Sequence, residues 1–269
     1  MAFKPSTRHM SIDEMNAYRV AYSKKLGTSD YFRTIVLPGL GFGAFFYFLL
    51  FYWWIGLIMF LVGCYIGWRF ILPASVTRDY KEKSFLERNR FLNNMTMLMF
   101  NPNNTLDKAL ISATNRANGE LKSDFSRLLS SMHVSGQDEI RDVFRQLERQ
   151  YVNDIPFSQY IEQLEIIQTE GKLSPDSLEN LKSFHNDLKR KKEYFNNQKV
   201  AKLRSFWIFP MFAAMSLVLV ERMFGFKAYL NNVAHGPVGW VTAAIIALGG
   251  IYAVIKLLRT FYDDDIMSL

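Results

Sequence analysis

Residues 34–68 read TIVLPGLGFGAFFYFLLFYWWIGLIMFLVGCYIGW and contain no charged side chain. A bilayer core about 30 Å thick takes roughly 20 apolar residues of helix. These 35 residues therefore exceed one span and fall just short of two. We interpret them as a tight helical hairpin, with helices over Ile35–Leu50 and Trp53–Leu72 and a turn near Phe51–Trp54. One long tilted span is the alternative.

A second apolar block lies near the other end of the chain. Phe206–Val220 and Gly236–Ile255 carry no charge. Pro237 and the Gly249-Gly250 pair suit membrane helices, in which glycine and proline are commoner than in soluble ones. The block predicts a second hairpin, with the Glu221-Arg222 pair at the membrane interface.

The distribution of positive charge predicts the topology. The chain has 269 residues, a net charge of +7, and 32 lysines and arginines. All of these but Arg222 and Lys227 lie in the N-terminal arm, at Arg69, in the middle region or in the tail. Because basic residues gather on the cytoplasmic side of spans, we expect both termini and the middle region to be cytoplasmic.

These patterns predict an all-α membrane protein with four transmembrane helices, arranged as two hairpins that flank a cytoplasmic six-helix bundle. The expected segments are a cytoplasmic amphipathic N-terminal arm (1–33), transmembrane hairpin 1 (34–72), a cytoplasmic helical domain (73–204), transmembrane hairpin 2 (205–258) and a cytoplasmic tail (259–269). The expected location is the inner, cytoplasmic membrane.

Turn residues divide the polar regions into helices. In the arm, Ser11 and Glu14 have the spacing of a capping box, and this helix is expected to lie on an anionic membrane surface or to be solvated. In the middle region, Thr105 is expected to cap a helix whose apolar face holds Leu106 and Leu110. Stop signals follow at Gly119, Gly136 and Gly171. Pro175 opens a last helix, without a breaker as far as Arg204, that is expected to continue into the third span with a kink at Pro210.

No constellation of catalytic, cofactor-binding or metal-binding residues stands out. The histidines are scattered, at His9, His133, His185 and His235, and the single cysteine, Cys64, permits no internal disulfide. Zinc sites need clustered ligands. Gly39–Gly43 falls in the apolar stretch and indicates helix packing rather than phosphate binding. A small transporter is one alternative function, but the uncharged spans argue against it.

Two basic clusters flank the predicted membrane segments. The first holds Lys189, Arg190, Lys191 and Lys192 and continues through Lys199, Lys202 and Arg204; the second holds Arg78, Lys81, Lys83, Arg88 and Arg90. Contact with anionic headgroups is one interpretation, and docking of an acidic partner is the other. Nucleic acid is disfavoured, because residues 78–204 hold 21 basic and 18 acidic side chains.

The layout resembles the F-domain family of type II secretion and type IV pilus machines, in its Tad-type branch with a single domain. Asn104–Leu110 resembles the family's small-polar–Leu–x–x–Ala-Leu helix start, and Glu170–Leu173 resembles its Gly-Leu turn. The basic helix Arg190–Arg204 before Pro210 resembles the family's entry to its third span. Phe100-Asn101-Pro102 departs from the family's Ala-Gly spacer.

This resemblance implies an inner-membrane platform protein that is no enzyme and needs no cofactor. Such proteins couple a cytoplasmic hexameric secretion ATPase to the assembly of pilin-like subunits. The resemblance also implies homo-oligomers, or hetero-oligomers with a paralogous F-domain protein. The alternative function is a membrane scaffold of a conjugation or secretion channel without motor contact.

Motor contacts are expected in the polar loops His133–Glu139 and Asn153–Pro156, because recognition residues concentrate on loops of a rigid scaffold. The candidates are Gln137 and Asp154, with Lys189–Lys192 as the other candidate surface.

The topology predicts which loops an impermeant thiol reagent reaches in intact cells. On a Cys64→Ser background, we expect labelling of Asn231→Cys from outside and protection of Ser135→Cys. Labelling of the Ser135 position with protection of the Asn231 position would invert the topology.

Overall fold

The structure, a computed structural model, describes residues 10–134, 136–171, 174–206 and 208–262. Every regular element in these ranges is helical. The α-helices are α1 (Ile12–Tyr22), α2 (Thr28–Tyr31), α3 (Leu37–Leu50), α4 (Trp53–Ile66), α5 (Leu72–Met99), α6 (Leu106–Arg116), α7 (Gly119–Val134), α8 (Gln137–Gln150), α9 (Ile155–Glu170), α10 (Pro175–Phe206), α11 (Ile208–Phe224), α12 (Phe226–Ala228) and α13 (Pro237–Tyr262).

Three short π-helical segments interrupt this pattern, at Phe32–Val36, Gly67–Ile71 and Tyr229–Ala234. The second joins α4 to α5 without a break. Trp53–Met99 is consequently one continuous helical stretch of 47 residues. The sequence also predicts that α10 continues into the third predicted span; that junction, at Trp207, lies outside the described residues, as does the side chain of Pro210.

The chain divides into two compact units. The apolar unit contains Lys24–Arg78, residues 10–17 and the described chain from Asn196 onward. The polar unit contains Tyr18–Ser23 and the described part of Asp79–Phe195.

In the apolar unit, α3 and α4 form the expected hairpin, and the alternative prediction of one long helix is wrong. Its turn is Phe51-Tyr52, and Phe51 adopts the left-handed conformation with φ 53°. Such a conformation costs an L-residue roughly 1–2 kcal/mol. The ring packing of Phe51, against Phe226 at 5.2 Å and Tyr229 at 6.2 Å, offsets this cost.

Glycines allow α3 and α4 to approach closely. A Cβ on Gly43 would lie 2.8 Å from the Cβ of Phe60 and 2.9 Å from the carbonyl oxygen of Gly56. A Cβ on Gly67 would lie 2.4 Å from the carbonyl oxygen of Thr34. Helices in lipid associate through such close backbone packing, because hydrocarbon surroundings supply little hydrophobic driving force.

Three helical stretches among the described residues are long and apolar enough to cross a membrane: Thr28–Leu50, Trp53–Met99 and Pro237–Lys256. The remaining predicted span corresponds to α11, which has 17 residues and a length of about 26 Å. Contacts between aromatic rings join the hairpin turn to the C-terminal segment, with Tyr52 stacked on His235 at 4.4 Å and Trp54 beside Trp240 at 6.1 Å.

The polar unit packs α5 to α10 around an apolar core that includes Leu106 and Leu110, as predicted. The side chain of Thr105 accepts a hydrogen bond from the Lys108 amide, which confirms the predicted cap. Gly171 ends α9 in the left-handed conformation, as expected of a helix stop. Gly119, predicted as a stop, instead begins α7.

The N-terminal helix α1 makes contacts with both compact units, each through a different part of the helix. Its Ser11–Glu14 capping box is confirmed. Within the apolar unit, Met15 is 1% exposed and packs with Leu72 and Val76. Within the polar unit, Arg19 forms an ion pair with Asp79 at 2.9 Å.

Helix α1 also packs against the start of α7, and Gly119 is the residue that makes room for it. Gly119 has φ +64°, and a Cβ there would lie 2.3 Å from the carbonyl oxygen of Ala21. The α1 backbone therefore occupies the space that a side chain would need.

We predict that Gly43→Ala lowers the thermal stability of the purified protein, because the added methyl meets backbone and Cβ atoms of α4. Overpacking of this kind typically costs 1–3 kcal/mol. Gly41→Ala, on the same helix with open space around it, is the matched control. Thermal unfolding in detergent micelles measures both, and equal melting temperatures would show that the α3–α4 contact is loose.

Candidate functional site

A cluster of buried polar side chains joins three elements of the polar unit. Helix α5 contributes Arg88 and Asn89, α10 contributes His185 and Asn186, and the residue before α9 is Asp154. Asp154 is 2% exposed and His185 is fully buried. Because buried charges are costly unless they are paired, the geometry of this cluster decides whether the three elements stay together.

Asp154 receives two charged or polar partners through a single carboxylate oxygen. The Arg88 Nε donates to Asp154 Oδ2 at 2.6 Å, and His185 Nε2 lies 3.2 Å from the same oxygen. Arg88 also donates to the hydroxyl of Ser84 at 2.6 Å. The guanidinium is thus fixed between α5 and the start of α9.

Asparagines continue the cluster along α5 and α10. The amide nitrogen of Asn89 lies 3.0 Å from His185 Nδ1 and donates to the side-chain oxygen of Asn186 at 2.7 Å. Asn93 and Asn186 exchange two side-chain hydrogen bonds, at 3.0 and 3.1 Å. An amide NH₂ can only donate, so Nδ1 of His185 accepts and its Nε2–H donates to Asp154.

Aromatic rings cover the charged groups. Phe85 stacks on the imidazole of His185 with centroids 4.6 Å apart. The Lys192 Nζ lies 4.7 Å from the centroid of the Phe85 ring. The Arg88 guanidinium lies 5.8 Å from the Tyr151 ring, within the range of cation–π attraction.

Electrostatics favours the ionised form of Asp154. Burial raises the pKa of its carboxyl group, but the hydrogen bond from His185 and the positive charge of Arg88 outweigh that effect, and the pKa is lowered. A lowered folded-state pKa stabilises the fold above the unfolded-state value of about 3.9. This contribution is lost as the pH falls through the lowered pKa.

The arrangement can fasten helices together, but it presents no open surface. His185 and the Asp154 carboxylate are enclosed, so neither reaches a substrate in this conformation. What the cluster does is tie α5, α9 and α10 with directional bonds. Removing one partner of the Arg88–Asp154 ion pair leaves the other charge buried and uncompensated. Separation of these elements is therefore costly.

The expected motor-contact residues lie in different environments. The prediction that Asp154 belongs to a polar surface loop is wrong in one respect: its carboxylate faces the interior, where Arg88 pairs with it and His185 donates a hydrogen bond to it. Its neighbours Val152 and Asn153 are exposed. Gln137 begins α8, and its side chain lies outside the described residues.

The first basic cluster lies on α10, and its members differ. Arg190 pairs with Asp187 at 2.5 Å, and Lys189 lies 3.9 Å from Glu193. Lys192 covers Phe85. Lys191 is exposed. The cluster therefore offers a cationic surface centred on Lys191.

The second basic cluster is not a continuous surface patch, because several members are used inside the protein. Arg88 is bound to Asp154. Lys83 pairs with Asp79 at 3.0 Å, and Arg78 donates to Asn196 at 3.4 Å. Lys81 and Arg90 are exposed. The headgroup interpretation of this cluster therefore applies at most to its exposed members.

The pairing of His185 with Asn89 was not predicted from the sequence, although each residue carries a local signal of burial. Leu178, Leu181 and His185 follow the apolar spacing of α10, and Asn89 lies between Phe85 and Leu92 on the apolar stripe of α5. Polar residues on two apolar stripes indicate a buried hydrogen-bonded contact. The sequence does not say that these two stripes meet.

We predict that Arg88→Met lowers the free energy of unfolding by about 3–5 kcal/mol, because it leaves the Asp154 carboxylate buried without its cation. Arg90→Met is the control: its side chain is 71% exposed, and a surface ion pair contributes at most about 1 kcal/mol. Denaturant titration in detergent micelles, followed by circular dichroism, measures the change.

Two further variants test the mechanism of that loss. Arg88→Met combined with Asp154→Leu should recover much of the stability, because both buried charges are then gone. Asp154→Asn should remove the part of the stability loss below about pH 4 that comes from protonation of the Asp154 carboxylate. Equal effects of Arg88→Met and Arg90→Met would contradict the role of the cluster.

Comparison with known proteins gives one informative result. No family model matches the chain, and no solved structure matches it. The chain is 35% identical over 262 residues to the uncharacterized protein pXO2-23 of Bacillus anthracis, an alignment that covers 97% of this chain and 95% of that protein. Identity at this level over nearly the full length of both chains indicates a common fold, and the chain belongs to the family of that Bacillus anthracis protein.

Proposed function

We propose that this protein is an inner-membrane platform of a type II secretion or Tad-like type IV pilus assembly machine. Its helical domain would receive movement from a cytoplasmic hexameric ATPase and pass it to the membrane helices, which act on pilin-like subunits. In this proposal it is multi-pass, with both termini cytoplasmic, and carries out no reaction itself.

The observation that carries the proposal is the fastening of the long helix Trp53–Met99. This helix holds apolar membrane-type sequence at one end and Arg88 and Asn89 at the other. The buried cluster ties its polar end to α10, the helix that precedes the C-terminal apolar block. A force applied to α9 or α10 therefore reaches a helix that extends into the apolar unit.

The aromatic contacts in the apolar unit support the proposed topology. Tyr52 in the hairpin turn stacks on His235, and the Tyr229 hydroxyl donates to the Leu49 carbonyl oxygen at 2.8 Å. The turn between α3 and α4 and the segment between α11 and α13 therefore lie at the same end of this unit. Aromatic residues at such a position are typical of a membrane–water interface.

In this proposal the ATPase binds an exposed part of the polar unit. Asn153, in the turn before α9, is exposed and adjoins Asp154, so contact there would act directly on the buried cluster. Lys191 offers the cationic alternative for an acidic motor surface. The second candidate function, a scaffold of a conjugation or secretion channel, is favoured only if no motor contact exists.

Site-specific photo-cross-linking in cells tests the proposal. A photoreactive amino acid is placed at Gln137, Asn153 or Lys191, with the exposed Lys108 of α6 as the control position. We expect cross-links from Asn153 or Gln137 to a co-expressed secretion ATPase, and their loss when its ATP site is disabled.

The pattern of cross-links separates the alternatives. Cross-links from Lys191 alone would place the ATPase contact on α10. No cross-link to the ATPase from any position would overturn the motor proposal in favour of the scaffold. Equal cross-linking from Lys108 would indicate nonspecific proximity.

A further inference from the structure

The apolar unit contains a cavity of about 280 Å³ with an unusual lining. Aromatic rings from the end of α3 and the hairpin turn form one side, and one face of α11 forms the other. The lining residues are Phe45, Phe48, Phe51, Ala214, Leu217, Val218, Glu221 and Tyr229.

A single carboxylate lies in this aromatic and aliphatic lining. Glu221 follows Ala214, Leu217 and Val218 at helical spacing, so it shares their face of α11. It is half-buried. Among the described residues, its side chain has no ion-pair or hydrogen-bond partner, and the nearby Tyr229 hydroxyl already donates to the Leu49 carbonyl oxygen.

The wall of the cavity also contains the strained residue of the unit. Phe51 is the non-glycine residue with positive φ in the described chain. Its conformation places its ring in the lining of the cavity. Backbone strain of this kind is concentrated at ligand sites, where the surroundings hold it.

The chemistry of this lining selects an organic cation. Aromatic faces attract cations, and quaternary ammonium groups are recognised by such aromatic surroundings. A carboxylate without a partner supplies the opposite charge. Calcium, a hard metal ion, needs six or more oxygen ligands, whereas the lining residues supply one carboxylate, from Glu221, and one hydroxyl, from Tyr229.

The surroundings of the cavity fit the rest of a phospholipid headgroup. Helices α3 and α11 end beside it, at Leu50 and Phe224, where an apolar helix meets the headgroup layer. Arg222 and Lys227 are both exposed within six residues of Glu221. They are suited to a phosphate, while Glu221 is suited to an ammonium group.

We propose that this cavity binds the headgroup of a zwitterionic phospholipid, with its ammonium group between the aromatic rings and Glu221 and its phosphate toward Arg222 and Lys227. The bound lipid would hold α11 against α3. This inference is independent of the proposed assembly function.

Native mass spectrometry of the full-length protein, purified in a neutral maltoside detergent, tests the proposal. The probes are phosphatidylethanolamine, phosphatidylglycerol and dodecyltrimethylammonium. We expect phosphatidylethanolamine to be retained in preference to phosphatidylglycerol and displaced by dodecyltrimethylammonium. Glu221→Gln and Phe48→Leu should each weaken retention roughly tenfold.

Matched controls separate the site from general lipid binding. Phe212→Leu changes an exposed ring of α11, and Asp13→Asn removes an exposed carboxylate of α1; neither should alter retention. Circular dichroism checks that each variant is folded, and Phe48→Leu stands as the test if Glu221→Gln is not.

Three results would overturn the proposal. Equal retention of phosphatidylglycerol would indicate an anionic-lipid contact at the basic residues. Unchanged retention in folded Phe48→Leu would place the lipid elsewhere. A retained polypeptide in place of lipid would mean that the cavity receives a protein segment.

Discussion

A carboxylate removed from water must keep a cation or a set of donors beside it, and the polar unit depends on meeting that requirement at Asp154. Arg88 and His185 both meet it through one oxygen, and they come from different helices. The three elements therefore cannot separate without exposing or stranding a charge. The apolar core around Leu110 supplies the bulk of the burial, but apolar contacts alone do not fix which helix faces which. The directional bonds of the cluster make that choice.

The apolar unit is held by a different kind of constraint. Its first two helices approach so closely that glycine is required at several contact positions. Shape, rather than charge, specifies this pairing, because helices surrounded by lipid gain little from hiding apolar side chains. The aromatic contacts at the hairpin turn then add the C-terminal segment. The polar unit thus depends on paired buried polar groups, and the apolar unit on close backbone packing.

Local chemistry made much of the fold predictable. Thr105 and Gly171 mark helix ends through their own backbone preferences, and the uncharged stretch predicts its hairpin by length. Contacts between distant segments were not predictable, since neither Asp154 nor His185 carries a local sign of its partner. For the same reason the docking of Met15 and the requirement for Gly119 were missed. A residue that looks like a turn signal can instead be the imprint of a helix about a hundred positions away.

The π-helical segment Gly67–Ile71 has a geometric consequence for the long helix. A π-helical turn holds one more residue than an α-helical one, and a single residue corresponds to about 100° around an α-helix. Side chains beyond Ile71 therefore point in directions that an uninterrupted α-helical wheel would misassign by that angle. Deleting one residue within the segment can restore regular winding while leaving every other residue helical. The segment thus works as an angular offset, which sets the direction of Leu72 and Val76 relative to Gly56 and Gly63 within the apolar unit.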